Sequence, residues 1–400
     1  MVSNAAEVRK AVRRGAPSSS RLEKARVAAM AMLFVAGFLF ASWGVHVPTV
    51  QQEFHLTHGQ LTSALFAVAI GSVFPMFVIG RWISYFGPRK SCFAAALLMI
   101  TCCAAILQIR HFWLLLLLLS LFGFGLSALD IAANAEAASV EFAIGRPIMS
   151  SVHAMFSIGG AAGAVLGAVL LSHGLEPNMH MLFAAFTSFC ILVVSLRMFL
   201  PDQPQVGRDT DSSRNRWSSG RLWMLGALAF LGLCAEGGIY DWAVIYMRDV
   251  LHATDQIARY AYASFAGGIA VGRLGGEIVR RRLGALRLVS CSAGLATVAI
   301  CAALASPFAL LSLVSFATLG LGIANIMPVL FTASTRIAGV HAAEGLAHVA
   351  GLAYFGLLLG PVLIGGITQL STLTGGLTIV AACTSLICIL SVRALKQIDV

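Results

Sequence analysis

The feature that most constrains this chain is the repetition of apolar runs, each about as long as a membrane-spanning helix. A helix needs about 20 mostly apolar residues to cross the hydrocarbon core of a bilayer, and such runs recur from residue 27 onward. Of the 400 residues, 58% are hydrophobic and 11% are charged, less than half of the roughly 25% typical of soluble domains. The chain is therefore predicted to be an all-α membrane protein.

Twelve transmembrane helices are predicted from these runs, arranged as two six-helix bundles. They are placed at about 27–48, 61–80, 91–109, 112–136, 149–171, 179–199, 221–242, 257–276, 286–304, 308–333, 346–367 and 376–393.

The positive charges predict the orientation of these spans. Lysine and arginine accumulate in the cytoplasmic loops of membrane proteins, and an alternating path with a cytoplasmic N-terminus puts 24 of the 27 basic residues on that side. The N-terminal segment is basic and has no early apolar core of a secretory signal. A multi-pass protein of a bacterial-type inner membrane with both termini in the cytoplasm is expected. The net charge of +10 is explained by the orientation of the spans and by attraction to anionic lipid. Binding to nucleic acid is not needed to explain it.

The chain divides into two similar halves. A polar stretch rich in Pro, Ser, Asp and Arg predicts a cytoplasmic linker at 201–220, between an N-terminal bundle at 27–200, preceded by a tail at 1–26, and a C-terminal bundle at 221–395. Four glycine pairs lie 197 positions apart, which indicates an internal repeat. They are Gly123 and Gly320, Gly125 and Gly322, Gly159 and Gly356, and Gly163 and Gly360.

A Gly-Arg pair near the end of spans 2 and 8 suggests a further correspondence. Gly80-Arg81 and Gly272-Arg273 are 192 positions apart. If these pairs are equivalent, an indel of five residues separates the two copies.

Two parallel six-helix repeats joined by a cytoplasmic loop are typical of secondary transporters, whose substrates bind near the midplane between the halves. The chain resembles transporters of the major facilitator superfamily over residues 27 to 395. Its loop 2–3, GRWISYFGPRK (80–90), has Gly80, Gly87, Arg89 and Lys90 of the family signature, but Ser84 replaces the usual Asp. Glu277 keeps an acid in the second copy, so closure of the cytoplasmic side is expected to depend more on the C-terminal half.

Within the superfamily the chain is similar to the branch of rhizopine-type membrane permeases and, more distantly, to fucose permease. The similar segments are LDIAANAEAASVE (129–141), GRPIMSSVHAMFSIGGAAGA (145–164), EGGIYDWAVIYM (236–247) and GLGIANIMPVLFTAS (320–334). The resemblance implies transport by alternating access.

Acidic residues inside predicted spans are the clearest candidates for function, because a charge in the bilayer costs about 2.5–3.5 kcal/mol on insertion scales. Asp130, Asn134 and Glu141 share one face of span 4 at the helical period. Asp130 and Asn134 are predicted to form an inner site for a proton or substrate, and Glu141 a cytoplasmic gate near Arg146. Glu136 points elsewhere and is expected to tolerate substitution.

Other polar residues in spans 1, 7 and 10 are candidates for the same site. Glu236 precedes a Gly-Gly pair that should weaken span 7, and Tyr240 lies one turn beyond it. The remaining candidates are Asp241, Trp43, His46 and Asn325. The predicted gate consists of Gly80, Arg81, Gly87, Arg89, Lys90, Glu141, Arg146, Gly272, Arg273 and Glu277.

The predicted function is proton-coupled symport of a small polar solute such as a sugar, polyol or amino-sugar derivative. No Walker A or His-Glu-x-x-His motif is present, and the nine cysteines lie inside spans. No enzyme activity, cofactor or metal is expected. The protein is expected to be a monomer in the lipid bilayer. Two alternatives stay open: a proton-driven exporter of an amphipathic metabolite or drug, and a sensor of transporter fold that moves no solute.

Overall fold

The computed structural model describes residues 18–56, 58–200 and 219–395, and within them it consists of helices and short connections without a strand. The helices are α1 Ser19–Val45, α2 Val47–Glu53, α3 His58–Val73, α4 Pro75–Phe86, α5 Pro88–Ala105, α6 Phe112–Ile144, α7 Met149–Ser172, α8 Pro177–Leu196, α9 Gly220–Asp249, α10 Asp255–Ala305, α11 Ala309–Ile323, α12 Ile326–Ser334, α13 Ala342–Leu370 and α14 Leu373–Leu395.

Glycine and proline set several of the turns between helices. Gly87 ends α4 with φ 85°, and Pro88 starts α5 in the first turn, where a missing backbone N–H has no cost. Gly145 ends α6 in the left-handed conformation, with φ 71°, which a side chain would disfavour. These local signals fix where the chain reverses between spans.

Twelve membrane crossings account for these helices. Within the described residues, ten helices are long and apolar enough to span a membrane, and the bent pair Ser63–Val73 and Phe77–Phe86 makes an eleventh span. The stretch Tyr260–Ala305 has 46 residues, so at about 1.5 Å per residue it is too long for one crossing of a ~30 Å core. It is interrupted at Gly284, where φ is 77°.

The two parts of α10 lie on either side of α11, so the chain turns back at Gly284. Gly320 on α11 packs against the backbone of Phe265, before the turn, and Gly322 packs against Ser292, after it. The prediction of an all-α protein with twelve transmembrane helices is therefore confirmed.

The repeat seen in the sequence is also a repeat of helix contacts. A Cβ atom built on Gly123 of α6 would lie 2.0 Å from the carbonyl oxygen of Val68, and one on Gly320 of α11 would lie 2.2 Å from that of Phe265. Val68 and Phe265 are 197 positions apart, as are the two glycines. Equivalent backbone contacts occur at Gly71 and Gly268, Gly125 and Gly322, Gly159 and Gly356, and Gly163 and Gly360. The glycines allow the helices of each bundle to approach closely.

The same register continues through the loop motif, so the expected five-residue indel is wrong. Gly87 and Gly284 are 197 positions apart and share one backbone conformation, with φ, ψ of 85°, 162° and 77°, 164°. Arg81 precedes its turn by six residues, whereas Arg273 precedes Gly284 by eleven. At about 1.5 Å per residue, Arg273 therefore lies deeper in its helix than Arg81.

Parts of the predicted domain organisation lie outside the described residues, namely 1–17 of the tail and 201–218 of the linker. Residues 19–26, assigned to the tail, belong to α1. The limits 27–200 and 221–395 of the two bundles stay predictions.

Candidate transport site and gate

A polar group joins the two bundles at the middle of the molecule. On α6, Nδ2 of Asn134 donates to Oδ1 of Asp130 at 3.1 Å, and the hydroxyl of Tyr354 on α13 donates to Oδ2 of Asp130 at 2.9 Å. Asp130 is 7% exposed and Asn134 is fully buried. The structure thus brings Asp130 and Asn134 together as expected from their spacing. It adds Tyr354, which no sequence pattern had indicated.

An ion pair lies beside this group. Oε1 of Glu236 on α9 is 3.6 Å from Nη2 of Arg273 on α10, and Nη1 of Arg273 donates to the hydroxyl of Ser157 on α7 at 3.1 Å. Arg273 also lies within electrostatic range of Asp130. Arg273 was expected at the gate because its Gly-Arg pair was aligned with Gly80-Arg81. The structure places it with the central acids, since the true register puts it deeper in α10.

Aromatic rings continue from this ion pair along α9 and α10. The ring of Tyr240 lies 4.9 Å from the rings of both Tyr262 and Phe265, measured between centroids. Tyr262 is eleven residues from Arg273, about 20° round the same face of α10. Arg273 is 9% exposed and Tyr262 is 51% exposed. Asp241, another predicted site residue, is exposed near Tyr262.

Trp43 and His46 do not join the central group. Trp43 is 3% exposed and packs in the apolar core. Nε2 of His46 lies 2.8 Å from Nδ1 of His180 on α8, and both imidazoles are buried. The two candidates of span 1 therefore lie apart from Asp130 and Asn134 in this structure. His180 on α8 contacts Nε2 of His46 instead, and the pattern of a single helix could not reveal that partner.

Asn325 is a tether between helices rather than part of the central group. It lies between α11 and α12, where its Nδ2 donates to the carbonyl of Gly272 at 2.8 Å. Its Oδ1 accepts from the hydroxyl of Ser150 on α7 at 2.9 Å. Asn325 thus links the C-terminal bundle to the N-terminal one.

The turns at Gly87, Gly145 and Gly284 lie at one end of the bundles, here named the basic end because exposed Arg81, Arg89, Lys90, Arg281 and Arg282 lie near them. The opposite end is named the outer end.

Glu141 forms the most buried contact between the bundles at the basic end. Its Oε1 lies 3.2 Å from Nη2 of Arg280 and 3.9 Å from Nη2 of Arg336. Its Oε2 accepts from the backbone N–H groups of Ile148 and Met149 at the start of α7, where the helix dipole favours a carboxylate. Glu141 is 1% exposed.

Arg146 was expected near Glu141 but pairs with Glu23 instead. Glu23 lies in the part of α1 that had been assigned to the tail, so the sequence offered no partner there. Both side chains are close to half exposed.

Glu277 contributes a second contact between the bundles at the basic end. Its Oε1 accepts from the backbone N–H of Ser151 at 3.2 Å and lies 3.6 Å from Nη2 of Arg26. The same guanidinium nitrogen donates to the hydroxyl of Ser151 at 2.9 Å. Arg26 therefore connects Glu277 of one bundle to α7 of the other, and no sequence signal had singled it out.

Ser84, which replaces the family's usual Asp, forms a third contact at this end. Its hydroxyl lies 2.8 Å from Nδ1 of His341, the residue preceding α13. Gly80 lies one turn earlier and faces the start of α13. A Cβ atom built on Gly80 would lie within 3.2 Å of atoms in that helix. Burial lowers the pKa of His341, and the carboxylate of Glu344 opposes this shift.

Glu136 was expected to tolerate substitution, but the structure gives it a buried contact. It is 2% exposed, and its Oε1 accepts from the backbone N–H of Leu200 at 2.9 Å. Removing this buried carboxylate would leave the backbone N–H of Leu200 without its acceptor, which is costly. Glu136 therefore has a structural role.

Comparison with known proteins identifies the family. The sequence model of the Major Facilitator Superfamily matches residues 29–343. Membrane protein MosC of Rhizobium meliloti is 28% identical over 370 residues, covering 91% of this chain and 88% of that protein. An uncharacterized MFS-type transporter of Yersinia pestis is 27% identical over 341 residues, covering 85% of this chain and 88% of that protein.

Solved structures show the same fold. A crystal structure of the E. coli fucose:proton symporter FucP aligns with a TM-score of 0.76 at 14% identity, covering 92% of this chain and 98% of that one. The human organic anion transporter MFSD10 aligns with a TM-score of 0.71 at 16% identity, covering 92% and 99%. The predicted resemblance is confirmed, and this multi-pass membrane protein belongs to the major facilitator superfamily of transporters.

Proposed function

We propose that this transporter is a proton-coupled symporter of a small polar organic solute, such as a sugar, a polyol or an amino-sugar derivative. The observation that carries the proposal is the hydrogen bond from Tyr354 to the carboxylate of Asp130. It joins a protonatable group to the interface that has to open during alternating access. The fucose:proton symporter, which shares the fold, provides a precedent for this chemistry.

The coupling follows from the strength of that hydrogen bond. A hydrogen bond to a charged group contributes about 1.5–3 kcal/mol, against about 0.5–1.5 for a neutral pair. Ionised Asp130 therefore holds α6 to α13, and a proton on Asp130 weakens the contact. Proton binding then favours separation of the bundles at the basic end, and release of the proton favours their return.

The solute is proposed to bind beside these groups on the outer side. Arg273, Glu236 and Asn134 offer hydrogen-bond donors and acceptors for hydroxyls, and the ring of Tyr240 offers an apolar face. Tyr262 is more exposed than Arg273 on the same face of α10, which supports a cleft that widens toward the outer end.

The gate is proposed to lie at the basic end, and that end is proposed to face the cytoplasm of a bacterial-type inner membrane. Glu141 with Arg280, and Glu277 with Arg26, connect the two bundles there. Separation of these pairs accompanies release of solute and proton into the cytoplasm. We propose that a monomer suffices, because each bundle supplies half of the site.

Uptake into proteoliposomes tests this function. Purified protein is given labelled sugars and polyols with and without an inward proton gradient, and accumulation only with the gradient supports symport. Asp130→Asn, which cannot ionise, is expected to lose accumulation while retaining exchange of labelled for unlabelled solute. Asp249→Asn removes an exposed acid at the end of α9 and is the matched control.

Two results contradict the proposal. If the Asp130→Asn variant accumulated solute at the wild-type rate, Asp130 would not be the residue that couples proton binding to transport. Solute or drug that leaves the vesicles against its gradient as protons enter would identify an exporter instead.

A further inference from the structure

Two neighbouring helices of the C-terminal bundle are weakened at the same level. Pro361 lies inside α13, and because its nitrogen cannot donate to the carbonyl of Leu357, the helix is prone to bend there. Gly237 and Gly238 are adjacent in α9, and glycine lowers the stability of a helix. A Cβ atom built on Gly237 would lie 2.9 Å from the backbone oxygen of Leu357. The carbonyl that loses its helical donor at Pro361 therefore lies against the glycine pair of α9.

On the outer side of this level the two helices are joined by Trp242. Its Nε1–H on α9 donates to the carbonyl oxygen of Pro361 on α13 at 3.1 Å. A Cβ atom built on Gly365, one turn further along α13, would lie 3.1 Å from Cζ2 of the same indole, so the ring lies over this glycine. The outer segments of α9 and α13, here defined as 239–249 and 361–370, are therefore held together by one side chain.

The central polar group lies on the other side of this level. Glu236, which is 3.6 Å from Arg273, directly precedes the glycine pair. Tyr354, which donates to Asp130, lies seven residues before Pro361, about 10 Å along α13. A bend at this level therefore moves the outer segments while both central contacts stay in place.

We infer that Trp242 is a positioning residue that couples the outer segment of α13 to that of α9. The two segments bend together about a hinge formed by Gly237, Gly238 and Pro361. Without the indole, α13 bends at Pro361 independently of α9. The inference concerns movement of the outer end and applies to uptake and export alike, so it goes beyond the proposed symport.

An interface anchor is the alternative role for a tryptophan near the end of a span. Anchors present the indole N–H to the wet side of the interface, whereas that of Trp242 bonds to a carbonyl of the neighbouring helix. Trp113, at the outer start of α6, is 79% exposed and has the setting of an anchor. An anchor needs neither Pro361 nor Gly365, which makes the two roles separable by experiment.

Spin-label distances in the full chain, reconstituted in nanodiscs, test the inference. The labels replace Asp249 and Leu370, exposed residues at the outer ends of α9 and α13, and are carried by unnatural amino acids that leave native thiols untouched. The wild type is expected to give one narrow distance distribution. In Trp242→Phe, which keeps a ring but removes the N–H, a second population should appear. The ratio of held to displaced segments should fall roughly two- to tenfold, the usual effect of one hydrogen bond, and Trp113→Phe should resemble the wild type.

Two adjacent glycines provide a matched pair of variants. Gly365→Ala places a methyl group against the indole, whereas Gly366→Ala meets no atom within 4 Å. The first is expected to broaden the distance distribution and the second to leave it unchanged. If Trp242→Phe does not fold, these two variants decide the question on their own.

Rescue distinguishes positioning from a general loss of packing. Pro361→Ala restores the N–H donor to the carbonyl of Leu357 and stiffens α13 at the hinge. Added to Trp242→Phe, it is expected to return the distribution to its wild-type width. A cavity left by the smaller ring would persist in this double variant, so packing damage alone would not be rescued.

Three results would overturn the inference: an unchanged distribution in Trp242→Phe, equal effects of the two glycine variants, or failure of Pro361→Ala to narrow the distribution. No solute or proton gradient enters these measurements, so each of these results leaves the proposed symport standing. Conversely, uptake that ignores a proton gradient would reject symport, and the distances would still decide the role of Trp242.

Discussion

Oε1 of Glu141 on α6 lies 3.2 Å from Nη2 of Arg280 on α10, and both side chains are buried at the interface of the two bundles. Removing one partner of a buried pair leaves an uncompensated charge, which costs about 3–5 kcal/mol. This contact is therefore the strongest candidate for holding the basic end closed.

Glu141→Gln is expected to destabilise the closed protein. The substitution leaves Arg280 without its carboxylate, and we expect the free energy of unfolding to fall by about 3 kcal/mol or more. Thermal unfolding in detergent, followed with a dye that reacts with buried thiols such as Cys92 and Cys103, measures the effect. Asp249→Asn, which removes the exposed partner of Arg248 at the far end of α9, is the control and should cost less than about 1 kcal/mol. Equal losses in the two variants would contradict a buried gate.

Tyr354→Phe is expected to favour opening of the basic end. It removes the hydroxyl that bonds to Asp130 and keeps the ring, so loss of about 1.5–3 kcal/mol shifts the closed-to-open ratio roughly 10- to 100-fold. Distances between spin labels on the basic ends of α4 and α10 report this ratio. Tyr260→Phe, at an exposed position, should leave the distances unchanged. An unaltered distance distribution in Tyr354→Phe would argue against a role in closure.

Acidification is expected to weaken the contact between Ser84 and His341. Burial lowers the pKa of His341 in the closed structure, so the closed state binds fewer protons than a state in which this ring is exposed. Closed-state stability is then fully present above the ordinary pKa of about 6.5 and is lost as the pH falls below it. The spin-label distances, measured between pH 7.5 and 5.5, should shift toward opening in the wild type. The shift should shrink in His341→Gln, and a persistent shift would assign it to another group.

Alanine at the interhelical glycines is expected to destabilise each bundle. The added Cβ would lie 2.0 Å from the Val68 oxygen in Gly123→Ala and 2.2 Å from the Phe265 oxygen in Gly320→Ala. Overpacking of this kind costs about 1–3 kcal/mol. Gly267→Ala, which meets no atom within 4 Å, should be neutral or gain up to about 1 kcal/mol from helix propensity. The thiol-reactivity assay compares the three variants, and similar melting temperatures would contradict the packing.

Several features of this protein could be predicted because they depend on neighbouring residues. Hydrophobic runs fixed the number of spans, and basic residues marked one end of them. The spacing of Asp130 and Asn134, one helical turn apart, placed their side chains together. The repeat of 197 residues was visible in glycines, since close helix packing leaves little choice of residue. The Gly-Arg alignment failed because a dipeptide is too short to define a register.

Which residues meet across helices was decided by the tertiary structure. A helix that is apolar on all sides has no stripe that reveals which face points to its neighbours, so its rotation is set by packing. That rotation pairs Asp130 with Tyr354 and Glu236 with Arg273, and it turns His46 toward His180. The sequence alone therefore determined the membrane fold, the repeat and the candidate acids. Their partners depended on how the twelve spans pack, because those contacts join residues far apart in the chain.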